Sequence, residues 1–519
     1  MPRCVRPLNR AWSTARTCHR AWSTAHTART SHASASTAYA PSYAPSYASS
    51  YASSSPSSSP TFSASSVPHP IDCFGNPLQP GYPYARGNLV RCTTDDIAKL
   101  EYARRVMRKR RESRRPLYNF SGLDRSMSSL LRAEDFDLYD DDLGPAVVGA
   151  EFKMRALDHL GGSEAEDHDV LLCNRQSAAM MATCMALLER GDRVIGVSPT
   201  YSHPAVTRPV QRAGAHFTDV RGYAGFAAEL DKLDRSYSRD GAPPPPPPKM
   251  VMLTRLAVSY EILSAEELRD IVQRAHAVGA IVVCDDAGGA RVGPAVFGQD
   301  RTLELGVDVG STGLDKYGVL GPRVGLLGGR RDLVDQIRVA AMECGLDARG
   351  MLLPAVLRSL AQYREGRVRD LVACTMEVAG ELEEALGAEN VAKNALIAQL
   401  RGEDILRLAM QRAGWREGEA WRPAGEGGEG RPPLVPLEAT AALAALMLQR
   451  HGMNTVHYAG IPPGTPNLLI KFIPPEVLEG FGGARRFAEA VDDCVWELSR
   501  LLPHERELEV LMYGEGGRP

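Results

Sequence analysis

Short apolar runs alternate with amphipathic stretches from Asp169 onward. The stretches 178–189 and 265–278 have helical spacing, and Ser264 followed by Glu267 is a capping-box pattern at the start of the second one. Runs rich in β-branched residues have the length of buried strands, and they cover 169–173, 193–197, 250–253, 280–284, 307–310 and 324–327. This alternation predicts an α/β fold, a mostly parallel sheet covered by helices.

The pattern changes along the chain, and the changes predict a domain organisation. Strand signals become sparse after residue 368 while long helical patterns continue, which predicts a smaller C-terminal α+β domain over 368–514. A large domain over 146–367 and a basic, helical segment over 88–145 precede it. The proline run 243–248 and the Gly/Pro/Glu-rich stretch 414–433 are predicted to be exposed loops without catalytic residues.

Residues 1–87 differ from the rest in composition. They contain a ten-residue near-repeat, a YAPS/YASS repeat and a Ser/Pro tract, none of which supplies apolar residues for a core. We therefore predict a disordered, low-complexity segment. Six arginines and no acidic residue before Asp72 fit an organelle transit peptide, and the repeats fit low-complexity sequence translated upstream of the physiological start.

Composition and charge exclude several classes of protein. With 60 Lys+Arg against 63 Asp+Glu, the chain is near neutral, which argues against a general nucleic-acid binder. Its apolar runs fall short of the roughly 18 residues that a membrane helix needs. The ten cysteines are scattered singly, without a CxxC pair, which argues against a disulfide framework and against a zinc site. We predict a cytoplasmic protein with reduced thiols and no metal.

The densest charge in the chain lies between Arg104 and Arg115, where eight of twelve residues are basic. One interpretation is a phosphate-binding arm for RNA or a phosphorylated partner. The other is a solvated helix face or a subunit contact, since most basic runs have that role.

Lys316 is the first of three candidate sites, each of which follows a predicted strand, where open parallel sheets bind their ligands. It lies in the segment STGLDKYGVLGPR, 311–323, a turn of small and hydroxyl-bearing residues between two predicted strands. A lysine in such a turn is poorly solvated and can lose its proton, as a Schiff-base lysine must.

Two adjacent carboxylates, Asp285 and Asp286, form the second candidate site at the end of a wholly apolar strand. A carboxylate at a buried strand end is costly without a cationic partner, and the protonated nitrogen of a heterocycle would be one. The glycines that follow would let a flat ring approach the backbone. The alternatives are a structural carboxylate that caps the next segment and a metal-binding carboxylate, although no His, Glu or Asp lies at a convincing companion spacing for a metal.

The third candidate site is the segment CNRQSAA, 173–179, where a strand runs into a helix. The free N–H groups and the positive end of that helix would bind an anion such as a phosphate. Asn174 or Ser177 also fits a simple N-cap, and the two roles are compatible.

These motifs together resemble pyridoxal-phosphate (PLP) enzymes of the aminotransferase-like fold, fold type I. The chain is most similar to seryl-tRNA(Sec) selenium transferases and their shorter archaeal-type relatives. The motifs that carry the resemblance are LYNFSGL (117–123), HLGG (159–162), NRQSA (174–178), SHP (202–204), DDAGGAR (285–291) and DK with GPR (315–323). A weaker match covers 467–499.

The resemblance implies roles for individual residues. Lys316 would form the internal aldimine and later move the α-proton, and Asp285 would pair with the pyridine nitrogen. We choose Asp285 over Asp286 because related motifs place the pairing Asp two residues before an Ala. His203 would stack on the cofactor.

The resemblance also implies binding positions for phosphate and substrate. The cofactor phosphate would lie on Asn174, Gln176, Ser177 and Ala178, with help from Ser311 or Thr312, and a substrate carboxylate or phosphate on Arg175, Arg291 or Arg323. Related enzymes often carry a phosphate-binding hydroxyl three residues before the lysine, where this chain has Gly313.

The implied activity is a reaction at the α-carbon of a small or nucleoside-linked α-amino acid, through an external aldimine and a quinonoid. The bond that breaks is left open. Seryl-tRNA selenium transfer is one alternative, although only about thirty ordinary residues stand where the bacterial enzymes carry a tRNA module. O2-dependent oxidative decarboxylation to a carboxamide, as in secondary metabolism, is another, and an RNA-associated protein with a vestigial site is a third. We expect a homodimer or larger homo-oligomer.

Overall fold

The computed structural model describes residues 71–78, 84–123, 132–233, 245–415, 434–455 and 466–518. The strands in these residues, β1 to β12, are Tyr118–Asn119, His168–Cys173, Arg193–Ser198, His216–Arg221, Met250–Thr254, Ile281–Asp285, Val309–Gly313, Gly325–Arg330, Ala392–Lys393, Ile397–Arg401, Met453–Asn454 and Asn467–Lys471. The α-helices, α1 to α15, are Thr93–Glu112, Leu143–Leu160, Gln176–Leu187, Pro204–Arg212, Gly222–Leu230, Ala265–Ala277, Gly289–Phe297, Arg331–Glu343, Leu353–Gln362, Glu365–Leu386, Gly402–Arg412, Pro436–Leu446, Pro475–Phe481, Ala484–Leu501 and Glu505–Tyr513.

Seven strands form the main sheet, in the order β2-β8-β7-β6-β5-β3-β4. Every neighbouring pair from β7 to β4 is parallel, whereas β8 is antiparallel to both of its neighbours. The sheet is therefore mostly parallel, as predicted. The carboxyl ends of β5, β6 and β7 lie side by side at one edge.

Helices cover both faces of this sheet, because successive residues of a strand point to opposite sides. On β5, Val251 and Leu253 pack with α2, α5, α6 and α9 in one apolar cluster. Met250 and Met252 of the same strand pack with α3, α4 and α8 in another. Burial on both faces explains why the strands are wholly apolar rather than alternating.

A second, antiparallel sheet of three strands is formed by the C-terminal part of the chain, in the order β12-β10-β9. The helices α10, α11, α12, α14 and α15 contribute to the apolar core beside it. Residues 84–90 and Phe120 enter the same core, and Tyr118 pairs with Met453 in a short parallel ladder. This α+β part agrees with the predicted fold class.

The predicted elements of the main sheet are confirmed, with ends that move by one to three residues. Helix α6 has the capping box formed by Ser264 and Glu267, as the pattern indicated. Edge strand β4 was not predicted, because its residues are only partly buried and lack an apolar run. The stretch 416–433 and residues 1–70 lie outside the described residues, and the domain boundaries stay predictions.

Two further features concern the described residues only. None of their helices is both long enough and apolar enough to cross a bilayer. In the same residues, no group of three or more His, Cys, Asp or Glu side chains is arranged to hold a metal ion.

Candidate active site

The edge formed by the ends of β6 and β7 carries the predicted catalytic residues. Asp285 is the last residue of β6 and pairs in register with Ser311 of the neighbouring β7. The chain leaves β7 at Gly313 and returns as β8 at Gly325, and Lys316 lies in the turn between them. Adjacent parallel strands thus bring Asp285 and the lysine turn to one place.

Lys316 is partly buried, and this burial lowers its pKa to about 8 by disfavouring the ammonium form. The positive charges of Lys471 and Arg291 lower the pKa further, while the Asp315 and Asp285 carboxylates oppose the shift. An amine with such a pKa is neutral far more often than a surface lysine, which suits it for nucleophilic attack.

Gly313, three residues before the lysine, lies against the turn that holds it. A Cβ atom at Gly313 would lie 3.2 Å from Asp315 Oδ1 and 3.6 Å from Lys316 Cε. A side chain at this position would be tight against the Asp315 carboxylate and in ordinary van der Waals contact with Lys316.

Asp285 is a buried carboxylate without a cation at hydrogen-bonding distance among the described residues. Its Oδ1 accepts a hydrogen bond of 2.9 Å from Gln176 Nε2. Burial raises the pKa of Asp285, and the Gln176 hydrogen bond and the charge of Lys316 oppose that rise. The charge of Lys316 lowers the pKa of Asp285, and the Asp285 carboxylate raises that of Lys316, which is consistent with the prediction that both belong to one site.

Asp286, in contrast to Asp285, has a cationic partner in the protein. Its Oδ2 lies 2.6 Å from Arg255 Nη2 in an ion pair whose side chains are both fully buried, and it accepts a hydrogen bond of 2.8 Å from Thr302. This carboxylate is already neutralised by the protein. This contrast between the two carboxylates favours Asp285 as the one that would bind a cationic ligand.

Gln176 is turned toward Asp285. Its Nε2 donates to Asp285 and, at 2.6 Å, to Ser311 Oγ, which also donates to Met180 Sδ at 3.5 Å. The Gln176 Oε1 is buried without a hydrogen-bond donor among the described residues. The side chain therefore orients the Asp285 carboxylate and presents an unsatisfied acceptor.

The start of α3 offers fewer phosphate ligands than the sequence indicated. The Ala178 N–H donates to Arg175 O at 3.0 Å, so it is already satisfied. The N–H groups of Gln176 and Ser177, the first two of the helix, have no acceptor among the described residues, and the Ser177 side chain is exposed. Asn174 is exposed too, and its Nδ2 donates to Gly345 O at 3.0 Å.

Thr312 and Arg291 form a hydrogen bond with each other. Arg291 is fully buried, and its guanidinium donates to Thr312 Oγ1 at 3.1 Å, Ala287 O at 3.1 Å and Gly313 O at 2.8 Å. These contacts fix the end of β7 just before Lys316. They direct Arg291 and the Thr312 hydroxyl to protein partners, so the predicted substrate and phosphate contacts of these two residues stay predictions.

The other two predicted substrate arginines are more accessible. Arg175 precedes α3 and is exposed. Arg323 is 46% exposed at its side chain, and its Nε lies 3.3 Å from Asp315 Oδ2. Both remain candidates for a substrate anion.

His203 is the N-cap of α4, and its Nδ1 accepts a hydrogen bond of 2.9 Å from Ala205 N. Burial lowers the pKa of His203 to about 4, with contributions from the charges of Lys316 and Arg208. The imidazole is therefore neutral at physiological pH, which suits a flat ring that would stack on a cofactor.

Three side chains beside Lys316 were not singled out from the sequence. Tyr317 follows the lysine directly, and its hydroxyl lies 2.9 Å from the Tyr260 hydroxyl. Lys471, at the end of β12, donates to Tyr260 at 2.5 Å. Tyr317 was visible in the quoted motif, but nothing local marks Lys471, which reaches the site only through the C-terminal sheet.

The residues at this edge fit PLP. A lysine of lowered pKa would bind the aldehyde and a buried, uncompensated carboxylate would bind the protonated pyridine nitrogen. The free N–H groups at the start of α3 would bind the phosphate. The buried Gln176 Oε1 also lacks the donor that a bound group would supply.

Comparisons with known proteins also point to PLP. The family model of aminotransferase class I and II matches residues 142–400. A pyridoxal phosphate-dependent protein of Methanothermobacter thermautotrophicus is 26% identical over 377 residues, which cover 72% of this chain and 87% of that protein. A second such protein, from Methanosphaera stadtmanae, is 27% identical over 238 residues, or 46% of this chain and 56% of the relative.

The fold has a counterpart among solved structures. N-succinyldiaminopimelate aminotransferase of Mycobacterium tuberculosis superposes with a TM-score of 0.50 at 16% identity, over 77% of this chain and 97% of that one. The likeness concerns the fold alone. From the family match, the archaeal relatives and this fold, we conclude that the chain is a pyridoxal-phosphate-dependent enzyme of the aminotransferase-like fold, fold type I.

Proposed function

We propose that Lys316 carries the cofactor and that the enzyme acts at the α-carbon of a small or nucleoside-linked α-amino acid. PLP supplies an aldehyde that binds amines and a ring that withdraws electrons from the α-carbon. The observation that carries the proposal is the Asp285 carboxylate, which is buried and has no cation at hydrogen-bonding distance among the described residues. The amine of Lys316, whose pKa is lowered, interacts with this carboxylate through its charge.

Each residue of the site has a task in this proposal. Asp285, oriented by Gln176, would keep the ring nitrogen protonated. Lys316 would take or return a proton at the α-carbon, a role that its pKa of about 8 suits. His203, as a neutral imidazole, would stack on the cofactor, and Arg175 or Arg323 would bind an anionic group of the substrate.

The absorbance of the purified enzyme tests the assignment of Lys316. We expect a yellow chromophore that is lost in Lys316→Ala and kept in Lys393→Ala, because Lys393 is a surface residue paired with Glu383 at 2.7 Å. A Lys316→Ala protein that retains the same chromophore would refute the assignment.

The reaction itself divides into alternatives that consume different reagents. Replacement at the β-carbon needs no oxidant, whereas oxidative decarboxylation to a carboxamide consumes O2 and releases CO2. We therefore propose a screen of free amino acids and aminoacyl nucleosides, with and without oxygen, in which the chromophore, O2 and CO2 are followed. A response to seryl-tRNA alone would favour selenium transfer instead.

A second candidate function, RNA association, has support from α1. The basic residues near the end of this helix and just after it are exposed, namely Arg104, Arg105, Arg108, Lys109, Arg111, Arg114 and Arg115. Such a patch suits a phosphate backbone. Colourless protein that retains tRNA in a salt-dependent manner would favour this function over the enzymatic one.

We also propose that the enzyme is at least a homodimer that works in the cytoplasm. Enzymes of this fold place their active sites at subunit boundaries, which is the reason for the expectation. Light scattering of the purified enzyme, coupled to size exclusion, would give the number of subunits. A single monomeric peak would refute the dimer.

A further inference from the structure

Three residues with an unusual backbone conformation meet beside Lys316. Tyr260, Tyr317 and Phe472 have φ values of 63°, 54° and 46°, in the left-handed region that bulky residues rarely adopt. The Tyr317 and Phe472 rings lie 3.9 Å apart, and the Tyr260 and Phe472 rings 6.1 Å apart. Such conformations persist where the surroundings fix them, and they cluster at functional sites.

The aromatic cluster joins three separate parts of the chain. Tyr260 lies in the loop after β5, Tyr317 in the lysine turn, and Phe472 just after β12. The cluster therefore fixes the C-terminal antiparallel sheet against the turn that holds Lys316. This contact places Lys471, the residue before Phe472, close to the site.

Lys471 is a buried cation with a hydroxyl as its hydrogen-bond partner. It is 8% exposed, its Nζ donates to Tyr260 Oη at 2.5 Å, and it forms no ion pair with a carboxylate among the described residues. An ammonium can only donate, so Tyr260 accepts from Lys471 and its own proton is available for Tyr317, 2.9 Å away.

The N-terminal motif 117–123 covers the stem of Lys471. A Cβ atom at Gly122 would lie 2.6 Å from Lys471 O and 2.8 Å from Lys471 Cγ. Only glycine permits this approach, and its φ of 68° is also one that glycine tolerates. The lysine is thus confined from two sides, by Tyr260 and by the backbone at Gly122.

The charges that face Lys316 are few and partly balanced. Asp315 is paired with Arg323, while Asp285 is bonded to Gln176 and Arg291 to backbone carbonyls. His203 is neutral at physiological pH. Lys471 contributes a positive charge that no described carboxylate neutralises, so it acts on Lys316 at low dielectric constant.

We propose that Lys471, held by Tyr260 and Tyr317, is a positioning residue that shifts Lys316 from its ammonium toward its neutral amine. Lys471 touches neither the cofactor nor the substrate in this role. The proposal rests on the proposed function of Lys316 as the cofactor-binding lysine, because only a neutral amine can attack the PLP aldehyde.

The rate at which the cofactor-stripped, full-length chain takes up PLP at different pH values tests this proposal. In the wild type the rate should rise with pH and reach half its maximum near pH 8, where Lys316 loses its proton. In Lys471→Met the midpoint should move up by about one pH unit, which makes uptake at pH 7 about tenfold slower.

Three further variants serve as controls. Lys471→Arg keeps the positive charge and should keep the midpoint near that of the wild type. Tyr260→Phe loses the hydrogen bond that holds Lys471 and should move the midpoint in the same direction by a smaller amount. Lys393→Met removes a surface lysine from the same small sheet and should change nothing.

The results separate this proposal from the proposed function. If Lys316→Ala takes up PLP with an unchanged spectrum, the assignment of Lys316 itself fails. If Lys316 is required but Lys471→Met has the wild-type pH profile, only the role of Lys471 is refuted. Should Lys471→Met fail to fold, a wild-type profile in Tyr260→Phe refutes it.

Discussion

Two adjacent aspartates show how much the environment of a side chain determines its role. Asp285 and Asp286 are chemically identical and both buried at the end of β6. Asp286 faces Arg255 and Thr302, whereas Asp285 faces Gln176 and the lysine turn. We therefore expect replacement by asparagine to affect catalysis at one of these positions and stability at the other.

Asp285→Asn should weaken catalysis while the chain stays folded. A charge-assisted hydrogen bond of about 2–3 kcal/mol would be lost to the cofactor, which corresponds to a rate about 100-fold lower. Steady-state kinetics and thermal unfolding, compared with the surface variant Asp332→Asn, would measure this. An active Asp285→Asn enzyme would contradict the assignment.

Asp286→Asn should instead destabilise the fold. Removing one charge from a buried ion pair typically costs about 3–5 kcal/mol, because the remaining guanidinium of Arg255 stays buried without its partner. Urea unfolding would show a lower midpoint than in the wild type. Asp332→Asn, which breaks an exposed pair with Arg330, should stay within about 1 kcal/mol of the wild type.

At the scale of elements, the sequence predicted best those features whose stabilising contact is made between residues close together in the chain. The capping box of α6 is such a case, since the Ser264 Oγ accepts from Glu267 N at 3.1 Å and the Glu267 carboxylate accepts from Ser264 N at 2.9 Å. Both contacts lie within one turn and could be predicted from four residues.

Ser264→Ala should lower the free energy of unfolding by about 1 kcal/mol, as the loss of an N-cap usually does. Ser264→Asp keeps a side-chain oxygen at the same position and should stay near the wild type. Denaturant unfolding of the three proteins would measure the difference. Equal stability of Ser264→Ala and Ser264→Asp would contradict this account of the helix start.

At the scale of the whole molecule, the proposed active site depends on segments far apart in the sequence. The main sheet supplies the candidates Asp285 and Lys316, and the C-terminal sheet supplies Lys471, the proposed positioning residue. The segment before α2 closes over that lysine at Gly122. A substitution at Gly122 should therefore lower the stability of the whole protein by more than the strain in one isolated turn would.

Gly122→Ala should destabilise the protein by about 2 kcal/mol, because the new Cβ atom meets the Lys471 backbone and the residue has a positive φ. Gly149→Ala is the matched control. Gly149 lies inside α2 with no atom within 4 Å of its Cβ position, and alanine there should stabilise by about 0.5–1 kcal/mol. Thermal unfolding would show whether the Tm falls in Gly122→Ala and rises in Gly149→Ala.

Cofactor binding should also stabilise the whole molecule. A ligand that binds only the folded state at about 100 times its Kd adds about 2.7 kcal/mol, so PLP should raise the Tm by about a few degrees. Lys316→Ala should lose most of this increase, and Lys393→Ala should keep it. Differential scanning calorimetry with and without PLP would measure the change.

The sequence alone was sufficient for the α/β class, for six of the seven strands of the main sheet and for the motifs that resemble those of PLP enzymes. Those features depend on local patterns, since apolar runs of strand length and turns of small residues are visible in short windows. The phosphate ligands stay predictions, because a local pattern does not show which hydroxyls already have a protein partner. Ser311 and Thr312 carry suitable hydroxyls, but tertiary neighbours, Gln176 and Arg291, already bind them.

Only the tertiary structure distinguished Asp285 from Asp286 by their partners and brought Lys471 to the site. Arg255 is 31 residues from Asp286, and Lys471 is 211 residues from Tyr260. No short window of sequence contains such pairs. The local pattern thus determined which residues could do the chemistry, and long-range packing decided which charges surround them, because electrostatic interactions act through space and not along the chain.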